Sequence, residues 1–116
     1  MLAHAGWVGR LTHDEALQDA ITRKDLTHPA LSEADRAMLA YVEKLTLRPG
    51  TVEREDVEAL RAAGFSDAAI GDVALNASLF AFMNRMVDGL GGQLEGDMAD
   101  RAKRYGYPLH PGTFET

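Results

Sequence analysis

At 116 residues and 46% apolar content, the chain has the size and composition of one small globular domain. Its net charge of −6 and its 12 Lys and Arg, scattered among 18 acids with no basic block, exclude a nucleic-acid-binding surface. It has no cysteine, so these residues hold no disulfide, thiolate metal site or thiol nucleophile.

Residues 1–11 (MLAHAGWVGRL) open without a polar lead-in. Leu2, Trp7, Val8 and Leu11 fall at helical spacing, so the chain starts inside an apolar helix. Such an uncapped start is expected of a truncated domain or of one whose end a partner covers. No basic start followed by an apolar core is present, so no signal peptide is expected and the cytoplasm is the default compartment.

Thr12-His13-Asp14-Glu15 has the capping-box form and predicts a second helix from there to about Thr22. Leu17, Ala20 and Ile21 give it one apolar face. Pro29 breaks the connector at residues 27–31. Ser32 caps a third helix, with Glu33 and Asp35 in its first turn. Met38, Leu39, Val42 and Leu45 form its inward stripe, and Pro49-Gly50 ends it. Thr51 and the acids after it start a fourth helix. Val57 and Leu60 face inward there, Gly64 is the stop, and Phe65 packs back against the helix end.

The longest element is expected at residues 66–90. Ser66 is its N-cap, Asp67 suits the dipole in the first turn, and Gly91-Gly92 stops it. At ~1.5 Å per residue, such a helix is roughly 37 Å long. Ile70, Val73, Ala74, Ala77, Phe80 and Ala81 lie on one face, while Leu75, Leu79, Phe82, Met83 and Met86 spread round the others. A helix apolar nearly all round has to be covered on most sides. Asp72, Asn84, Arg85 and Asp88 interrupt it too often for a membrane span. A charged helix at about 94–105 follows, ended by Gly106, and then an irregular tail. No strand-like alternation occurs, so the reading is one all-α domain over residues 1–116, with five to six helices.

Five features are weighed as candidates for chemistry. His4 is either a histidine at a core edge or a proton carrier. His13 lacks the i, i+4 partner of a zinc helix, and His28 and His110 precede prolines in solvated connectors. Asn84-Arg85 ends the apolar run, either as an ion pair with a hydrogen bond to a neighbour or as a substrate-anion site. Trp7 reads as a core or interface anchor. Gly89, Gly91, Gly92 and Gly96 follow no strand and form no phosphate loop. No cofactor and no metal is expected.

Three runs carry a resemblance: residues 39–46 (LAYVEKLT), 56–70 (DVEALRAAGFSDAAI) and 82–91 (FMNRMVDGLG). Together they resemble the alkylhydroperoxidase (AhpD)-like superfamily, also called carboxymuconolactone decarboxylase-like, and within it the peroxidase-related branch. The resemblance spans about residues 3–94. It implies a helical bundle and a Cys-x-x-Cys-x-x-x-His centre, in which one thiolate attacks the peroxide and the other resolves the sulfenic acid. His4 matches the motif histidine, with Met1, Leu2 and Ala3 as the three spacers. Both cysteines and an upstream glutamate then fall before Met1, so the resemblance implies an N-terminally truncated domain. It also implies a dithiol reductant and a homo-oligomer. The alternatives are a cysteine-free acid–base enzyme of the decarboxylase branch, with His4 as proton donor, and a non-catalytic helical oligomer.

Overall fold

The computed structural model describes residues 10–92, 97, 100 and 103–106. Every regular element among them is helical, so the fold is all-α. The chain divides into two compact units, one from the residues up to Ala30 and from Val87 onward, the other from Leu31–Met86. The expected opening helix over residues 1–11, His4 and Trp7 within it, and most of the expected helix at 94–105 lie outside the described residues.

In the first unit, α1 spans Glu15–Arg23. Its cap is Asp14, whose carboxylate accepts the Leu17 N–H at 2.8 Å. The expected Thr12 capping box is therefore corrected. Thr12 Oγ1 instead accepts the Asp14 N–H at 3.3 Å, and His13 takes the left-handed region at φ 55°. A short acid next to the first turn reaches the open N–H more directly than a threonine two residues earlier. Lys24 closes α1, also left-handed at φ 59°, while the Asp25 N–H donates to the Ala20 carbonyl at 2.8 Å. Thr22 is buried, and its hydroxyl donates to the Gln18 carbonyl at 2.7 Å, which satisfies its polar oxygen. Near the other chain end, the Tyr105 hydroxyl donates to Asp19, and the Arg23 guanidinium lies 5.1 Å from the Tyr105 ring centre.

In the second unit, α2 spans Glu33–Leu47, a 3-10 turn covers Pro49–Thr51 and α3 spans Arg54–Ala62, and α4, Asp67–Gly89, belongs to it as far as Met86. The Ser32 cap is as expected: its Oγ accepts the Asp35 N–H at 3.0 Å, and Asp35 returns the bond to the Ser32 N–H at 2.9 Å. α3 begins later than expected, at Glu53 rather than Thr51. Pro49 and Thr51 form the tight turn, and the Glu53 N–H donates to Asp56 at 2.8 Å.

Tyr41, Leu60 and Ile70 are the buried centre, one from each helix, with Met38, Val42, Leu45, Val57, Phe65 and Val73 packed round them. Tyr41 was not among the expected inward residues. Leu60 is wholly buried. The α3–α4 corner explains its own sequence. Gly64 takes φ 101°, which favours glycine, and the Phe65 N–H reaches back to the Leu60 carbonyl at 3.1 Å. Ser66 Oγ then accepts the Ala69 N–H at 3.1 Å. At the far end of α4, Gly91 is left-handed at φ 77° and the Gly92 N–H donates to the Val87 carbonyl at 2.8 Å.

α4 is more exposed among the described residues than its apolar run leads one to expect. Only Ile70 is buried, and Leu75, Leu79, Phe80, Phe82, Met83 and Met86 are exposed. No helix among the described residues is long and apolar enough to cross a membrane.

Candidate functional site

His4, the expected catalytic residue, lies outside the described residues, as does His110. His13 is exposed in the turn before α1. His28 is half-buried rather than solvated, and its Nδ1 accepts the Ala30 N–H at 3.1 Å, which shapes the connector ahead of α2. No group of three or more His, Asp and Glu side chains among the described residues could hold a metal ion.

The expected Arg85 ion pair is corrected. Arg85 Nη1 donates to the Ala81 carbonyl one turn earlier at 3.1 Å, and no carboxylate of the described residues pairs with it. Its side chain edges a groove of about 330 Å³ between the end of α2 and the middle of α4. Leu45, Pro49, Ala77, Ala81 and Phe82 supply the apolar wall, and Thr46 and Ser78 supply hydroxyls. The site therefore offers one cation beside apolar surface, the complement of an anion with a hydrocarbon part. Asn84 is exposed on the same helix.

A second cavity of about 370 Å³ lies between α2 and α3, lined by Tyr41, Glu43, Lys44, Arg48 and Asp56 among others. Lys44 Nζ stands 2.6 Å from Asp56 Oδ2 across it. The Lys44 ammonium, and after it the Glu53 N–H, hold the Asp56 carboxyl below the usual carboxylate range. Two of the four charged residues lining the cavity thus pair with each other. Reading the residues in order missed this pair. Asp56 is recognisable as a first-turn acid, but a partner 12 residues away on another helix carries no local signal.

Neither cavity brings a nucleophile together with a proton-transfer pair. Comparison of the chain with protein families, curated proteins and solved structures finds no match in any of the three.

Proposed function

We propose that the chain is the helical body of an alkylhydroperoxidase-like protein of the peroxidase-related branch, reducing hydroperoxides through two thiols that are not among its 116 residues. The observation that supports this reading is that the first two resembling runs, and the third as far as Met86, fall on one packed unit. Residues 39–46 lie within α2, residues 56–70 make the α3–α4 corner, and residues 82–91 end α4. The corner run is structurally specific. Its arginine, Arg61, reaches Glu58 at 2.6 Å and Asp67 at 2.7 Å, while Gly64, Phe65 and Ser66 turn the chain. Arg85 and its apolar groove give a place for the polar end of an organic substrate.

In this reading, a thiolate attacks the peroxide oxygen, giving a sulfenic acid and releasing the alcohol. The second thiol displaces water and forms the disulfide, and an external dithiol restores both thiols. His4 carries the proton between these steps. A cytoplasmic setting, where dithiols stay reduced, suits that cycle. The test has two arms. The 116-residue chain should consume no alkyl hydroperoxide above buffer when coupled to a dithiol. The in-frame coding sequence before Met1 should encode a Cys-x-x-Cys, and protein made from it should be active and lose activity on His4→Ala. No such motif in frame, or thiol-coupled turnover by the 116-residue chain itself, overturns the proposal.

A further inference from the structure

We infer that the cavity between α2 and α3 binds a small zwitterion, a free α-amino acid with an apolar side chain, holding its carboxylate at Arg48 and Tyr41 and its ammonium at Glu43. The residues that line the cavity all belong to Leu31–Met86, so the site lies within the second unit. The observation that points to a ligand is Tyr41. It lines the cavity and is only 9% exposed, yet its hydroxyl makes no hydrogen bond among the described residues. Buried polar side-chain atoms in folded proteins are nearly always hydrogen-bonded, and an O–H donates most strongly to an anionic oxygen. The inference does not depend on the thiol chemistry above, which uses neither this cavity nor these residues.

The charges select the ligand. Tyr41, Lys44 and Arg48 follow one another at intervals of three and four residues, which puts them on one face of α2. Lys44 is engaged by Asp56 at 2.6 Å, so that pair cancels. The Arg48 guanidinium and the Glu43 carboxylate line the same cavity, and neither forms an ion pair with the other or with any described residue. What stays open is one cation, one anion and one hydroxyl donor. A simple anion meets the charge of Glu43, and a simple cation meets that of Arg48. A molecule carrying both charges meets neither repulsion. Arg48 takes its carboxylate through two parallel N–H bonds, with the Tyr41 O–H as a third donor, and Glu43 accepts from its ammonium. Ala40 and Ala59, whose side chains are a single carbon, leave an apolar wall open to the ligand's own side chain. The volume of about 370 Å³ lies at the small end of ligand pockets and suits a molecule of this size.

The test is a titration of the full chain with L-leucine, followed by amide NMR. The signals of Tyr41, Glu43, Lys44 and Arg48 should shift together and saturate with a Kd on the order of 1 mM. Acetate and methylamine, each carrying one of the two charges, should bind at least about tenfold more weakly. Arg48→Gln and Glu43→Gln should each weaken L-leucine at least about tenfold, and Tyr41→Phe about two- to tenfold. Because the Tyr41 hydroxyl has no partner among the described residues, Tyr41→Phe should leave the urea midpoint no lower than that of the natural chain. Ala59→Leu, at an exposed helix position, should keep the helical circular dichroism and abolish binding by filling the cavity. No saturable binding of L-leucine overturns the proposal. So does acetate that binds as tightly as L-leucine, undiminished binding by Arg48→Gln or Ala59→Leu, or a lowered urea midpoint for Tyr41→Phe.

Discussion

Lys44 and Asp56 sit 12 residues apart in the chain and 2.6 Å apart in space, and Asp56 at the same time accepts the N–H of Glu53. One carboxylate therefore both ties α2 to α3 and satisfies the open first turn of α3.

The first prediction concerns its pH dependence. The folded carboxyl titrates below its ordinary range, chiefly through Lys44. Its contribution is complete above the unfolded value of about 3.9 and is lost as pH falls through the lower folded value. Asp56→Ala should thus lower the urea midpoint at neutral pH, and the difference from the natural chain should vanish in strong acid. Lys44→Met, which keeps the Glu53 bond, should cost less than Asp56→Ala. Urea titrations across the acid range check both.

The second prediction concerns the core. Leu60 is the side chain that α2, α3 and α4 share, and none of it reaches solvent. Leu60→Ala should cost about 2–5 kcal/mol, a large part of the stability of a small domain. Leu47→Ala, at a residue 61% exposed, should fall within about 0.5 kcal/mol. Chemical denaturation of the two variants should separate them clearly. Equal effects would show that Leu60 is not the centre of the unit.

The third prediction sets two helix ends against each other. Gly64 at φ 101° and Lys24 at φ 59° both close helices in the left-handed region. Gly64→Ala should destabilise by roughly 1–2 kcal/mol, since a β-carbon is strained there. Lys24→Gly should stabilise by about 0.5–1 kcal/mol for the same reason. Thermal unfolding of both variants tests the opposite signs.

The signals that read correctly from residues alone were short-range ones. Ser32 with Asp35, Pro49-Gly50, Gly64, Ser66 and Gly91 each act within one helical turn, and each marks the boundary where it was expected. Where two local signals competed, the sequence could not rank them. Asp14 displaced Thr12 as the cap of α1, and Glu53 with Asp56 displaced Thr51 at α3. Burial was harder still. Tyr41 and Thr22 are buried because of what packs on them, while Leu79 and Phe82 are exposed although the run around them is apolar. Of the candidate site, the position of Arg85 at the end of an apolar run was readable. Its lack of a carboxylate partner among the described residues was not, because that depends on which helix faces α4.

The division of the chain has a consequence for its birth on the ribosome. The second unit is one unbroken stretch, Leu31–Met86, whereas the first joins residues up to Ala30 with residues from Val87 onward. The bond between Tyr105 and Asp19 closes 86 residues of chain. Closing so long a loop costs about 4 kcal/mol of chain entropy while the intervening segment is unstructured. Once Leu31–Met86 has folded, less of the loop is free chain and part of that cost is gone. Synthesis therefore delivers α1 early and leaves it waiting, and the order of assembly runs from the middle of the chain outward, with its two ends joining last.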